Sequence, residues 1–107
     1  TIVQQQLPIK IIILNNGYLG MVRQWQELFH NKRYSQTKLI PVPDFVKLAD
    51  AYGIAGYRVT KPEDVVPVLE KALNHPGAVI VDMVIDPEEN VYPMVPAGGT
   101  LTKMIGV

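Results

Sequence analysis

Residues 10–29 read Lys-Ile-Ile-Ile-Leu-Asn-Asn-Gly-Tyr-Leu-Gly-Met-Val-Arg-Gln-Trp-Gln-Glu-Leu-Phe. The apolar run at the start of this segment has the short length and β-branched content of a strand buried on both faces, which we place over residues 9–14. Asn15 and Asn16 end the run, and Gly17 gives the backbone freedom for a turn. Because α/β proteins bind ligands outside the carboxyl ends of their parallel strands, these asparagines mark a candidate site.

The composition is that of one globular domain or of a part of one. The chain has 107 residues, of which 48% are hydrophobic and 19% are charged, with ten basic residues balancing ten acidic ones. This balance gives no indication of nucleic acid or an anionic membrane as a partner. The absence of cysteine excludes disulfides, iron–sulfur clusters and thiolate zinc sites. No apolar run approaches the roughly 20 residues that span a bilayer, and residues 1–6 resemble neither a signal peptide nor a transit peptide.

Helical and strand patterns alternate along the rest of the chain. We predict, in order, a helix from Met21, a helix over residues 45–52, a strand over 57–59, a helix that opens at 60–63 and ends at 75–77, and a strand over 78–85. Asp44 is the predicted cap of the second helix and Gly53 ends it, while Thr60 and Glu63 match a capping box. The order implies an α/β fold of parallel βαβ units. Three strands make a thin sheet, so we expect an incomplete one.

All three predicted helices carry apolar side chains at helical spacing, and we expect these faces to point inward. The first helix has its apolar residues at Met21, Val22, Trp25, Leu28 and Phe29, with Arg23, Gln24, Gln26 and Glu27 on the other face. The third has them at Val65, Val66, Leu69, Ala72 and Leu73. The second helix is expected to turn Phe45, Leu48, Ala49 and Tyr52 inward. The tail over residues 86–107 is rich in proline and glycine and is typical of an ordered loop or a lid.

The residues that could carry chemistry each allow two interpretations. On spacing alone Asn16-Gly17 favours a simple turn. Asn16 could instead bind Mg²⁺, because an amide oxygen is a hard donor, but that site needs a carboxylate and no residue before the strand supplies one. For Met21 and Trp25, which are four residues apart on one helix face, the pattern alone favours core packing over an apolar wall beside a substrate or cofactor ring.

The remaining polar residues give weaker signals. His30 and His75 are expected at the surface near helix ends, and Arg23 and Arg33 on solvated faces, although either arginine could meet a phosphate or carboxylate. Asp82 within its strand is either a buried partner or an edge-facing charge. The sequence has no glycine-rich phosphate motif, no Ser-His-Asp order and no cluster of histidines and carboxylates.

Residues 14–29 resemble the thiamine-diphosphate-binding region of the acetohydroxyacid synthase (acetolactate synthase) family, catalytic large subunit. Further segments resemble the same family, namely Tyr34-Ser-Gln-Thr, Pro43-Asp-Phe-Val-Lys-Leu-Ala, Ala51-Tyr-Gly, and Asp86-Pro-Glu-Glu-Asn-Val-Tyr-Pro-Met-Val-Pro-Ala-Gly-Gly. The resemblance covers essentially the whole chain. Gly-Met-Val-x-Gln-Trp-Gln is fairly specific to this branch, whereas most thiamine-diphosphate enzymes share the Asn-Asn ending.

The resemblance implies that residues 1–107 are the C-terminal part of a thiamine-diphosphate-binding (pyrophosphate) domain, with 86–107 as a lid-like tail. The implied reaction condenses pyruvate with pyruvate or 2-oxobutyrate, with decarboxylation, in branched-chain amino-acid biosynthesis. Thiamine diphosphate and Mg²⁺ are the implied cofactors, with FAD in the full-length family.

The resemblance also implies roles for particular residues. Asn16 binds Mg²⁺ through its side-chain oxygen and Tyr18 through its backbone carbonyl. Gly20 and Met21 lie against the cofactor, and Trp25 shapes, with Met21, the pocket for the second oxoacid and the channel in which herbicides bind this family. No residue of this chain is implied to be catalytic.

Other parts of the implied enzyme are not present in the sequence. The family's Gly-Asp-Gly aspartate, its main Mg²⁺ ligand, belongs before Thr1, and its activating glutamate and FAD-associated region belong to other domains. We therefore expect a fragment that is inactive alone and works with the remaining domains of the catalytic subunit, in a homo-oligomer with a regulatory small subunit. Its expected location is cytoplasmic in bacteria or archaea and organellar in plants or fungi. Two alternatives stay open: another thiamine-diphosphate-dependent carboligase or decarboxylase, and a non-catalytic interaction module that complements its missing half.

Overall fold

The structure is a computed structural model that describes residues 1–106. Its elements are β1 (Lys10–Asn15), α1 (Gly20–Phe29), α2 (Phe45–Ala51), β2 (Ala55–Val59), α3 (Val65–Asn74) and β3 (Val79–Val84), with a 3-10 turn at Pro62–Asp64 before α3. Two compact units result. The sheet unit comprises Thr1–Gly17 and Ile40–Asp86, and the helix-and-tail unit comprises Tyr18–Leu39 and the described residues from Pro87 onward.

The sheet unit contains three parallel strands in the order β1-β3-β2. The central strand β3 is buried over Val79–Met83, which fits its position between two neighbours. Ile13 on β1 and Arg58 on β2 are both in register with Asp82. The predicted α/β class with parallel strands is confirmed, and the sheet is small and open.

One face of the sheet packs against α3 and forms the main core. Its buried members are Val59, Ala72, Val79, Val81 and Met83. Val65, Val68 and Leu69 of α3 pack against this cluster. The prediction for Val66 and Leu73 is wrong, because both are mostly exposed and lie outside the α3 surface that meets the strands.

The prediction that the first strand is buried on both faces is also wrong. Ile12 is 45% exposed and Leu14 is 66% exposed. β1 is an edge strand that pairs only with β3 among the described residues, and the core cluster beside α3 contains no β1 residue. An apolar run shows what a strand could bury, whereas coverage depends on neighbours that the run does not specify.

The opposite face of the sheet packs against α2. Asp44 caps this helix as predicted, since its carboxylate accepts hydrogen bonds from the backbone N–H groups of Val46 and Lys47 at 3.2 Å each. Ala49 is fully buried, and a Cβ on Gly56 would lie only 2.8 Å from its Cβ. The backbones of α2 and β2 therefore approach closely.

Two local predictions about the sheet-unit helices are wrong. Leu48 and Tyr52 of the predicted inner face of the second helix are largely exposed, because the close approach at Ala49 fixes which part of α2 meets the sheet. The capping box at residues 60–63 is not formed, because the 3-10 turn begins there with Lys61 as its cap and no side-chain cap hydrogen bond.

The helix-and-tail unit has a burial pattern opposite to the predicted one. Arg23 and Gln24 are 7% and 2% exposed, whereas the apolar residues Met21, Val22, Trp25 and Phe29 are about half exposed. The polar pair is buried because each side chain has partners within the unit, described below. The tail is irregular apart from an antiparallel bridge between Met94 and Ile105. None of the helices described is long and apolar enough to cross a membrane.

Candidate functional site

The carboxyl end of β1 carries the asparagine pair predicted from the sequence. Asn15 is the last residue of the strand, and its side-chain oxygen accepts a hydrogen bond from the Gly17 N–H at 3.1 Å. Gly17 has φ +70°, a conformation that side chains with a Cβ rarely adopt. The chain therefore turns tightly around Asn16 as it leaves the sheet.

A buried carboxylate on the central strand lies directly behind this turn. Asp82 is 1% exposed, and its Oδ1 accepts a hydrogen bond from Asn15 Nδ2 at 2.9 Å. Its Oδ2 accepts from Arg58 Nε at 3.0 Å. Because a buried charge is stable only when it is paired and hydrogen-bonded, these two contacts are what allow a carboxylate in β3. Of the two interpretations offered for Asp82, the structure selects the buried partner.

Arg58 extends the network to the cap of α2. Its Nη2 lies 2.8 Å from Asp44 Oδ1. The Asp82 hydrogen bond raises the pKa of the Arg58 guanidinium above its ordinary value, and Asp44 adds to this effect. The pKa of the Asp44 carboxyl is lowered, chiefly by the hydrogen bond from the Lys47 N–H, with a further contribution from Arg58. Both groups are thus held charged beside the strand ends.

The donor chemistry at the turn fits part of a magnesium site. The Asn16 amide oxygen follows the strand end directly, and the Tyr18 carbonyl comes two residues later; both are the hard oxygen donors that Mg²⁺ prefers. Within residues 1–106 no group of three or more histidines, cysteines and carboxylates could hold a metal. Phosphate oxygens, water and a carboxylate from outside this set would have to complete the coordination. The ligand roles of Asn16 and Tyr18 stay predictions.

Tyr18 opens the helix-and-tail unit, where it contacts a buried arginine. The Arg23 guanidinium lies 5.4 Å from the centre of the Tyr18 ring and 4.9 Å from that of Tyr34. It also pairs with Glu27 at 2.9 Å and lies 3.9 Å from Glu88. Ring stacking and ion pairing therefore fix the segment that leads into α1. The prediction that Arg23 lies on a solvated face is wrong, because the side chain is buried. The signal in the sequence that could have indicated its burial is the presence of Tyr18 and Tyr34 nearby.

Gln24 connects α1 to the tail. Its Nε2 donates a hydrogen bond to the Val91 carbonyl at 3.0 Å, and its Oε1 accepts one from the Val91 N–H at 2.9 Å. Nε2 also lies 3.3 Å from Met94 Sδ. The amide thus pairs with the tail backbone as a neighbouring strand would. Sequence reasoning placed Gln24 on the polar face and gave no signal for this contact, because its partner is 67 residues away.

Met21 and Trp25 are 49% and 50% exposed, so the core-packing interpretation of this pair is wrong. Trp25 lines an open pocket of about 390 Å³ with Val22, Gln26, His30 and Arg33. Met21 is absent from that lining, and Gly20 is the first residue of α1. An exposed aromatic surface beside a pocket is compatible with the apolar wall, which stays a prediction.

The two histidines considered in the sequence analysis lie at helix ends. His30 is exposed at the end of α1, as expected. His75 ends α3 and is half-buried, with Nδ1 accepting a hydrogen bond from the Gly77 N–H at 3.0 Å. Lys10 donates hydrogen bonds to the carbonyls of His75 and Gly77. A cavity of about 590 Å³ is lined by Ile11, Leu48, Ile80 and neighbouring residues, and neither asparagine of the turn is among its lining residues.

The sequence profile described as "Thiamine pyrophosphate enzyme, C-terminal TPP binding domain" matches residues 1–83. The chain belongs to this family, which agrees with the site at the carboxyl end of β1. A solved structure, the thiamine diphosphate-dependent 4-hydroxybenzoylformate decarboxylase of Rhodococcus jostii RHA1, superposes with a TM-score of 0.72 at 29% sequence identity. That likeness covers 83% of this chain and 17% of the decarboxylase chain.

More similar relatives are named acetolactate synthase. The large subunit from Pyropia yezoensis is 44% identical over 108 residues, covering 100% of this chain and 18% of the relative. The isozyme 2 large subunit of Escherichia coli K12 is 46% identical over 105 residues, covering 98% of this chain and 19% of the relative. This chain thus spans about a fifth of the length of the curated relatives it matches.

Proposed function

We propose that this chain forms part of the cofactor-binding domain of an acetolactate synthase, which joins two 2-oxoacids with loss of carbon dioxide. The observation that carries the proposal is the identity of 44% and 46% to two acetolactate synthase large subunits over essentially the whole chain. The proposed substrates are pyruvate with pyruvate or 2-oxobutyrate, and the proposed context is branched-chain amino-acid biosynthesis.

Within this enzyme, the residues of the chain bind and orient. Asn16 contributes its amide oxygen and Tyr18 its carbonyl oxygen to a Mg²⁺ ion that holds the cofactor diphosphate. Bound thiamine diphosphate supplies the electron sink for decarboxylation, and the protein supplies position and a dry environment. Gly20 and Met21 border the cofactor. Trp25, half-exposed beside its pocket, offers an aromatic surface to the second oxoacid.

The proposed enzyme needs more than this chain. The coordination set at Asn16 and Tyr18 lacks a carboxylate, so the isolated chain is expected to make no acetolactate. We propose that the other domains of a catalytic subunit supply the missing ligand and an FAD-associated region. A homo-oligomer with a regulatory small subunit is the proposed assembly, and the tail from residue 86 is proposed to close over the site.

A chimera tests the proposal. In the Escherichia coli isozyme 2 large subunit, the segment that matches this chain is replaced by residues 1–107. Supplied with pyruvate, thiamine diphosphate and Mg²⁺, the folded chimera is expected to form acetolactate, whereas the isolated chain is not. A chimera with native size and helicity that forms none would contradict the proposal, as would acetolactate formation by the isolated chain.

A second candidate is a 2-oxoacid decarboxylase that releases an aldehyde. The likeness to the Rhodococcus decarboxylase, at 29% identity and a TM-score of 0.72, favours keeping it. The two candidates differ in product, because a decarboxylase converts pyruvate to acetaldehyde without joining two substrates. Product analysis of the chimera therefore separates them: acetolactate supports the first function, and acetaldehyde as the main product supports the second.

A further inference from the structure

Asp82 accepts two side-chain hydrogen bonds, and only one of them comes from a charged group. The carboxylate is 1% exposed on the central strand, and Arg58 Nε donates to its Oδ2 at 3.0 Å, which neutralises the charge. The other oxygen, Oδ1, accepts a hydrogen bond from the neutral Asn15 side chain at 2.9 Å. This second contact joins the central strand to the residue that opens the turn at the end of β1.

The contact fixes the orientation of the Asn15 amide. An asparagine side chain has a donating end and an accepting end, and an ionised carboxylate only accepts. Asp82 therefore holds the Nδ2 end of Asn15 toward itself, which leaves Oδ1 facing the turn. That oxygen accepts the Gly17 N–H at 3.1 Å. A flipped amide would set its oxygen against the Asp82 carboxylate and its NH2 group against the Gly17 N–H, so only one orientation satisfies both neighbours.

We propose that Asp82 is a positioning residue for the cofactor-binding turn: through the Asn15 amide it holds the Gly17 N–H and so sets the direction in which Asn16 leaves the sheet. The link to Mg²⁺ and thiamine diphosphate rests on the proposed function. The link from Asp82 to Gly17 rests only on the three hydrogen-bonded groups within the sheet unit.

The donor and acceptor pattern suggests a pair of variants. Asp82→Asn can still accept from Arg58 with its oxygen, but its amide then faces the Asn15 amide, and two donors meet. The double variant Asn15→Asp, Asp82→Asn exchanges the two side chains. The amide at position 82 then donates to the carboxylate at position 15, whose other oxygen accepts from the Gly17 N–H. Asp44→Asn is the matched control, because it alters another carboxylate that pairs with Arg58 and leaves both contacts of Asp82 in place.

The readout is hydrogen exchange of the Gly17 amide, measured by NMR on the 107-residue chain without ligand. Loss of one hydrogen bond is expected to speed this exchange about fivefold in Asp82→Asn, with little change in the β3 amides. The double variant is expected to return it toward the wild-type rate, and Asp44→Asn to leave it unchanged.

Three results would overturn the proposal. These are an unchanged Gly17 rate in Asp82→Asn, no recovery in the double variant, and an equal acceleration of Gly17 and the β3 amides, which is the mark of a merely structural role. Should Asp82→Asn fail to fold, Asn15→Asp tests the same link from the other side. It keeps an oxygen for Gly17 but repels Asp82, so a wild-type Gly17 rate in that variant would also overturn the proposal.

A second arm separates this proposal from the proposed function. The side-chain amide signals of Asn16 are followed while thiamine diphosphate and Mg²⁺ are added to wild-type chain and to Asp82→Asn. A shift in wild type that needs more Mg²⁺ in the variant supports both proposals. Signals that stay fixed in wild type count against metal binding by this turn in the isolated chain, and the Gly17 rates still decide the role of Asp82.

Discussion

Replacing Gln24 with leucine should release the tail from α1. The Gln24 side chain is 2% exposed and exchanges two hydrogen bonds with the Val91 backbone, at 3.0 and 2.9 Å. Leucine has a similar volume, so the packing change is small compared with the polar one. The main effect is the loss of both hydrogen bonds, which leaves the Val91 N–H and the Val91 carbonyl without their side-chain partner.

The expected cost follows from those two bonds. Each contributes about 1 kcal/mol net, so opening of the tail near Val91 becomes easier by about 2 kcal/mol. Since about 1.4 kcal/mol corresponds to a tenfold change in an equilibrium constant, the open state becomes about 30-fold more populated. Hydrogen exchange of residues 88–95, followed by mass spectrometry, should accelerate by that factor.

A matched variant on the same helix provides the control. Gln26 also makes two side-chain hydrogen bonds, to the Ser35 carbonyl and the Thr37 hydroxyl at 3.0 Å each. Gln26→Leu should therefore accelerate exchange around residues 33–38 and leave 88–95 unchanged. Gln24→Glu, which keeps only the acceptor for the Val91 N–H, should give an intermediate rate. The reasoning is refuted if Gln24→Leu leaves the tail rates unchanged or if both leucine variants accelerate the same segments.

Three further predictions concern the stability of the sheet unit. Gly56→Ala should lower the free energy of unfolding by about 1–3 kcal/mol, because its new Cβ would lie 2.8 Å from a buried Cβ of α2. Gly53→Ala should cost only about 1 kcal/mol, because its new Cβ meets nothing within 4 Å although its φ is +68°, and urea titrations compare the two variants. Asp44 has a lowered pKa, so its contribution to stability is present above about pH 4 and is lost as the pH falls. Between about pH 5 and pH 3 the melting temperature should therefore fall less for Asp44→Asn than for wild type, and equal decreases would contradict this. Lys10→Met should lower the free energy of unfolding by about 1.5–3 kcal/mol, because the Lys10 ammonium group donates to two backbone carbonyls of the loop before β3. An unchanged midpoint in urea titrations would show that these hydrogen bonds contribute nothing to stability.

Local signals in the sequence predicted several features of the sheet unit correctly. The Asp44 cap, the turn at Gly53 and the apolar strand at the centre of the sheet each depend on neighbours a few residues away. Such features are visible in a single sequence because propensity and hydrogen bonding act over short distances. The placement of Asn15 and Asn16 at a strand end belongs to the same class.

The burial of α1 and β1 could not be predicted in this way. The apolar stripe with Met21 and Trp25 suggested an inner face, yet Arg23 and Gln24 are buried because aromatic rings, carboxylates and the tail backbone surround them. The link between Asn15 and Asp82 joins residues 67 positions apart. Partners at such separations leave no periodic trace, so the polar part of the candidate site needed a structure.

The most direct test of the account is the Mg²⁺ dependence of thiamine diphosphate binding by the folded chimera. Isothermal titration calorimetry measures the affinity for thiamine diphosphate at several Mg²⁺ concentrations. The two proteins compared are the unsubstituted chimera and the chimera with Asn16→Leu. The account predicts Mg²⁺-dependent binding that Asn16→Leu weakens by about tenfold or more, because one oxygen ligand is lost. Equal affinity and equal Mg²⁺ dependence in the two proteins would contradict the claim that this turn binds the metal.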